Sequence, residues 1–450
     1  MEFIFTRNAL IKFYIVVLAI FLVSFLRPTL LILLPFFLSF YFVLFNVKYS
    51  IYPMVIFPLL ILVVVLIGIY YIGEFHAGNF ILSTYIILPL LLLFFSKSRL
   101  LENHTKSIYI DYFLMGATGF LILSNCIGFM QLALHPNTDD AFIGLYGTSG
   151  LGVHSLCMIN FMMSSYYFLI YSNRKNRTDL LLCVFFLISG VVCFYGLGLI
   201  IFIVSIVAYN FSIKSAFRTL FISFFVLAFL GVSLYFIRPS TFQYNYDNLV
   251  MVKNYVQGNV TQMQKDKIPR KLVVYQNYFN IYCYDPVLFL FGSGPGTFNS
   301  RSSFLLNGEY STSKFFESIL GVHRPQYAVK GAYSLWNRKN GVSNLTDGSR
   351  NQPFSSIISM LAEYGFIFFA MLSVFIYIEF KELNNKFKLS FSGNLHQAAY
   401  ERDIVLFKYL KFISLFVLMS LFTDNYLEYP EIILFYLLIY KLIELKITDN

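Results

Sequence analysis

Charge is what this sequence has least of. Only 12% of its 450 residues are Asp, Glu, Lys or Arg, about half the share of a soluble domain, while 58% are apolar. No water-soluble fold of this length hides so much apolar surface, so the soluble classes are excluded before any motif is read. Tryptophan is almost missing: Trp336 stands alone against 53 Phe and 34 Tyr. Cysteine is sparse. Cys126, Cys157, Cys183 and Cys193 lie in apolar segments and only Cys283 lies outside them, where a packed thiol is expected. That spacing offers neither a disulfide framework nor a CxxC metal knuckle. There is also no HExxH, no Cys/His cluster and no Asp-x-Asp pair in the loops, which disfavours metal-dependent chemistry and implies no cofactor.

What remains is long apolar runs. A membrane span needs about 20 such residues to cross about 30 Å of hydrocarbon at about 1.5 Å per residue. Runs near 10–26, 30–46, 53–72, 80–95, 109–131, 150–171, 178–193, 195–210, 217–237, 354–379, 405–422 and 429–446 predict an all-α polytopic membrane protein with about 12 transmembrane helices. The pair at 178–210 is too long for one helix, and Gly190, Gly196 and Gly198 offer places for a turn. Arg7 and Lys12 precede the first run and Arg27-Pro28 follows it, without a small-residue cleavage site, so a retained span is expected.

Charge placement sets the orientation. With the N-terminus inside, the cytoplasmic segments hold 19 Lys and Arg, and the short outer loops hold only Arg27. Merging 178–210 into one span would move Lys381 to Lys411 outside, so the positive-inside rule favours twelve spans with both termini cytoplasmic. The same bias accounts for most of the +10 net charge, and nucleic acid is not an expected partner. The chain then divides into nine helices over 1–237, a large basic outer loop over 238–353, and three helices over 354–450.

The outer loop carries 13 basic residues against six acidic ones, an excess that topology does not require. Its arginines are Arg238, Arg270, Arg301, Arg324, Arg338 and Arg350. Guanidinium groups match phosphate oxygens bidentately and stay charged, so such a cluster suits a lipid-linked phosphate or pyrophosphate. The simpler alternative is a solvated loop resting on anionic headgroups. Residues 268–284 have helical periodicity and end at Asp285-Pro286. A turn rich in glycine follows at Gly292, Gly294 and Gly296, without the Lys-Ser/Thr ending of a nucleotide loop; positive-φ turns are its plainest reading. Residues 299–352 read as irregular.

Three further groups qualify as site candidates. His323 is a candidate general base or phosphate donor, against the alternative of a solvated loop histidine. His154 follows the small-residue run from Gly144 to Gly150, where either a sugar or a neighbouring helix can approach closely. Glu363 lies inside the tenth span, at a cost of about 2.5–3.5 kcal/mol, and so is expected to face a polar cavity or a partner. Asp424 and Asn425 close the eleventh span and either cap it or line the same cavity. Asp347 is one more loop carboxylate, and Asp139 and Asp140 are expected to be solvated.

Four stretches together resemble the O-antigen polymerase and ligase superfamily. They are Gly144 to His154; Arg270-Lys-Leu-Val-Val-Tyr275 with Gly292-Ser-Gly-Pro-Gly-Thr-Phe298; Ser355 to Gly365, ending Leu361-Ala-Glu-Tyr-Gly365; and Thr423-Asp-Asn-Tyr-Leu-Glu-Tyr-Pro430. The resemblance implies a metal-independent glycosyltransferase of the bacterial inner membrane that acts on undecaprenyl-pyrophosphate-linked glycan at the periplasmic face. Polymerases extend the chain and ligases move it onto lipid A-core. The ligase pattern has Ser-Arg-Gly where this chain has Phe194-Tyr195-Gly196, and His-Asn where it has Arg350-Asn351. Both departures favour the polymerase. On that reading Arg270, Arg350, Arg324, His323 and Glu363 are the catalytic candidates. Arg301, Arg338, Arg238, Gly294, Gly296 and His154 are the substrate-binding ones. Membrane lipids and a chain-length regulator protein are the expected partners. A ligase and a lipid-linked oligosaccharide flippase are the alternatives.

Overall fold

The computed structural model describes residues 7–25, 27–45, 47–98, 109–135, 141–146, 151–210, 235–236, 239–258, 268–308, 314–335, 353–390 and 397–447. The protein is a helical membrane protein. Among the described residues, five helices are long and apolar enough to cross a membrane: Ile51–Ile72, Ala77–Phe95, Tyr109–Leu134, Gly152–Arg174 and Ser356–Lys388. Shorter apolar helices accompany them. Helices occupy every predicted apolar run except 217–237, which lies almost wholly outside the described residues.

In chain order the first helices are α1 (Arg7–Ser24), α2 (Arg27–Leu44), α3 (Ile51–Ile67), α4 (Ala77–Phe95), α5 (Tyr109–Leu134), α6 (Leu151–Arg174), α7 (Arg177–Val192) and α8 (Gly196–Tyr209). Two short strands, Val47–Tyr49 and Ser96–Ser98, pair antiparallel at one end of the bundle, with Lys48 opposite Lys97. The predicted break inside 178–210 is present, but glycine does not make it. Phe194 takes the positive φ of 53°. Gly190 instead lets Phe161 close in, and Gly198 lets Tyr195 close in. Those glycines serve helix packing, where small residues allow close approach.

The described part of the segment between α8 and the last helices holds more helix than its sequence suggests. It contains α9 (Pro239–Val256), α10 (Arg270–Tyr282), α11 (Pro286–Phe291), α12 (Arg301–Leu305), α13 (Lys314–Leu320) and α14 (Gln326–Gly331). Asp285 ends α10 and starts α11, accepting the N–H groups of Val287 at 2.9 Å and Leu288 at 3.2 Å, while Pro286 takes the first helical position. The irregular reading of 299–352 missed α12, α13 and α14 because each spans only five to seven residues and shows no sustained periodicity. Tyr278, Tyr282, Phe298, Phe304 and Phe354 form a second apolar core under them. Cys283 is exposed rather than packed, since α10 ends just before it.

The chain returns through α15 (Ser356–Ser359), a π-helical turn (Met360–Tyr364), α16 (Gly365–Ser390), α17 (Gln397–Ser420) and α18 (Pro430–Ile447). Every residue of α18 is buried. A helix apolar on all sides belongs in the middle, and α18 packs against α1, α2, α4, α5, α6, α16 and α17. Its four charged residues, Glu431, Lys441, Glu444 and Lys446, are therefore buried too.

Candidate functional site

The glycine-rich turn and the Leu361–Gly365 turn are built into each other. Ser293 donates its N–H to the Ala362 carbonyl at 2.8 Å, and Gly294 donates to that of Glu363 at 3.0 Å. The π-helical turn exposes these two carbonyls by interrupting the regular ladder, a common device at functional sites. Gly292 and Gly365 have φ values of 77° and 81°, and each lies where a Cβ would overlap the opposite backbone. Two backbones pass here at a distance only glycine allows.

Glu363 holds the next part of the loop. One carboxylate oxygen accepts the N–H of Gly296 at 2.6 Å; the other accepts those of Phe298 at 3.1 Å and Ser300 at 3.0 Å. The side chain is fully buried. The partner expected for this intramembrane carboxylate is thus the loop backbone, and its occupied oxygens make it a holder of the loop. Gly294 and Gly296 take the positive φ angles of that turn, and Asn79 donates to the Gly296 carbonyl.

Glu428 repeats the device one turn of loop later. It accepts the backbone N–H groups of Arg301 and Ser302 and the side-chain amide of Asn425. Two carboxylates from two distant segments therefore clamp residues 296–302. Charge-assisted bonds to backbone N–H are among the stronger hydrogen bonds, so the clamp fixes Arg301 firmly.

Around Arg301 lies a buried charged cluster. Its guanidinium is sandwiched between the rings of Phe354 at 4.3 Å and Tyr429 at 4.5 Å. It donates to Asp424 Oδ1 at 3.2 Å and to the Tyr429 hydroxyl. Lys271 Nζ lies 3.6 Å from the other Asp424 oxygen and donates to the Thr423 carbonyl. Burial opposes the charge on Asp424, but Lys271, Arg301 and His154 together outweigh it and hold the carboxyl at about 2. Burial lowers the Lys271 amine, opposed by Asp424 and assisted by Arg301. Burial also raises Glu428, against the bonds from Arg301 and Ser302. Behind Asp424, the ring of His154 stacks on Tyr195 at 4.1 Å, and the Tyr426 hydroxyl donates to that of Tyr195 at 2.9 Å.

The other predicted residues are placed as follows. Arg270 begins α10, half-exposed beside Lys271, and its guanidinium meets no hydrogen-bond or ion-pair partner among the described residues. Arg324 donates to the Asn307 carbonyl at 2.9 Å. His323 hydrogen-bonds the Leu320 carbonyl at 2.9 Å, packs on Gly78 and faces the His76 ring at 5.7 Å. These contacts tie Arg324 to the loop and His323 to the loop and to α4. Arg238, Arg338, Arg350 and Asp347 lie outside the described residues, as do Asp139 and Asp140. Among the described residues, no three His, Cys, Asp or Glu side chains group as a metal site.

An apolar cleft of about 560 Å³ runs between α4, α16, α17 and α18. Leu421 and Leu427 line it, flanking the Thr423–Tyr426 turn that carries Asp424. Lys411 lines it farther along α17. Neither a protein-family model nor a curated protein matches this chain.

Sequence reasoning missed Lys271, Glu428, Tyr429 and the Tyr195–Tyr426 pair. One signal was present. Asp424 and Glu428 are spaced four apart between two apolar runs, where isolated acids need a reason.

Proposed function

We propose that this protein is an inner-membrane glycosyltransferase, a polymerase that extends undecaprenyl-pyrophosphate-linked oligosaccharide at the periplasmic face. The observation that carries the reading is convergence. The four stretches that resemble the O-antigen polymerases lie as much as about 270 residues apart, yet they meet around Asp424 and the loop that Glu363 holds. His154 comes from the first, Lys271 and the Gly292–Phe298 turn from the second, Ser356 and Glu363 from the third, and Asp424 to Tyr429 from the fourth.

The reading takes the topology as twelve spans with both termini cytoplasmic, so that this cluster lies at the outer membrane-water boundary. Arg270 and Lys271 then face a lipid pyrophosphate, and the apolar cleft beneath takes part of its hydrocarbon chain. Negative charge grows on the pyrophosphate as its bond to the sugar breaks. Fixed cations stabilise that charge most in the transition state, which is what accelerates the step. The acceptor hydroxyl attacks from the opposite face, its O–H bond breaks with the proton passing to solvent, and the pyrophosphate leaves with the bonding electrons of the cleaved C–O bond.

Arg270→Ala is expected to keep normal protein levels but to abolish long-chain glycan, a loss of at least about 100-fold. Arg270→Lys is expected to fail as well, because lysine lacks the bidentate fork. A normal ladder on a lipopolysaccharide gel would sink the assignment. Deleting the gene should leave lipid A-core bearing a single repeat; bare core would instead favour a ligase or a flippase.

A further inference from the structure

Asp424 is fully buried, yet it sits among cations rather than behind them. Its two oxygens face Arg301 at 3.2 Å and Lys271 at 3.6 Å. The two cations differ. Arg301 is pinned by two rings, by Tyr429 and by the Glu428 clamp on its own backbone. Lys271 is largely buried, its side chain 13% exposed, and its ammonium is held by the Asp424 carboxylate and the Thr423 carbonyl at the end of a four-carbon stem. Lys271 is also adjacent to Arg270, which is half-exposed and unpartnered among the described residues. An anion arriving from outside therefore meets Arg270 first and Lys271 second, and Arg301 is sealed.

We propose that Asp424 is a built-in stand-in for a phosphate group: it holds Lys271 inward in the empty protein and yields it when a diphosphate binds at Arg270. The exchange costs little, because Lys271 trades one anion for another while Arg301 continues to neutralise Asp424. It also selects. A singly charged anion gains too little from Arg270 and Lys271 to displace a carboxylate already in place, whereas a diphosphate brings enough charge to compete. Asp424 is thus a positioning residue that opposes weak anions and keeps the lysine folded inward between turnovers. The inference rests on the pyrophosphate reading of Arg270 and Lys271.

The test is inorganic pyrophosphate titrated into the purified full-length protein in detergent. Asp424→Asn removes the competing charge, so pyrophosphate should bind about tenfold more tightly, as expected for deleting one nearby like charge. Lys271→Ala should weaken binding and, combined with Asp424→Asn, should cancel the gain. A purely structural Asp424 would give weaker or unchanged binding in Asp424→Asn while Lys271→Ala still lost affinity, and that result would overturn the stand-in alone. If neither Arg270→Ala nor Lys271→Ala changes pyrophosphate binding, the pyrophosphate reading fails and this inference falls with it. Should Asp424→Asn not fold, the unaltered protein decides. Pyrophosphate should bind at least about tenfold more tightly than methyl phosphate or acetate, because only the higher charge displaces the carboxylate. Equal binding of the three would refute the exchange.

Discussion

Both ends of this bundle bury charge, and they do so differently. At the end carrying the paired strands, the buried cations among the described residues are matched close by. Lys441 meets Glu444 at 2.8 Å and the Ser96 carbonyl at 2.6 Å, and Lys446 meets Asp403 at 2.6 Å. Lys97, facing Lys48 across the strand pair, is neutralised by Glu382 at 3.0 Å and Glu379 at 3.6 Å. At the other end, Asp424 faces both Arg301 and Lys271, while Glu428 and Glu363 spend their oxygens on the backbone N–H groups of residues 296–302. A balanced cluster fastens helices together. A cluster whose carboxylates grip a loop backbone, with a single aspartate facing two cations, is built around that loop instead.

The contrast can be broken by substitution. After the loss of product in Arg270→Ala, the next largest effect is expected for Lys441→Ala. It strands a buried partner and should cost about 3–5 kcal/mol. Size-exclusion profiles and melting of the detergent-solubilised protein should show the loss, while the protein that does fold makes glycan of normal length. Short glycan from a well-folded Lys441→Ala protein would erase the distinction between the two ends. Gly365→Ala tests the docking of the two turns. It imposes a strained positive φ, about 1–3 kcal/mol, and a steric overlap with Phe291. It should lower stability and product length together, because the loop it displaces carries Arg301.

The pH dependence sharpens the same comparison. Asp424 has its carboxyl lowered in the folded state to about 2. Its stabilising contribution is therefore complete above the unfolded value of about 3.9 and is lost as pH falls through the folded one. The difference in melting temperature between the unaltered protein and Asp424→Asn should shrink between about pH 4 and pH 2. A constant difference across that range would mean that the ion pairs contribute nothing to folding. The smallest effect belongs to Lys97→Ala. Lys97 is more than a third exposed, so its removal should cost under about 1 kcal/mol. A larger loss would show that the strand pair depends on it.

Much of the fold was legible because membrane insertion reads the same quantity that the eye reads, apolar length. The break at 193–195 was legible from charge, although the residue that turns was not. Nothing in composition marks Phe194 for a positive φ. The site was half legible. Arg270 and the glycine turn stood out by type and spacing. Glu363 stood out by its cost, but whether it meets solvent, substrate or backbone depends on which loop folds over it. Lys271 looked like one more basic residue beside Arg270.

The sequence by itself determined that the chain lives in a membrane, where its apolar helices run, and that the segment 238–353 carries surplus positive charge. These are local properties, set by solvation residue by residue. Only the tertiary structure decided which charges are already spoken for. Arg301 and Arg270 are the same residue type in the same segment, yet one is sealed between two rings and clamped by Glu428, and the other is half-exposed. Pairing is a property of distance between groups far apart in the chain. No spacing along the sequence gives the 152 residues between Lys271 and Asp424 a span of 3.6 Å.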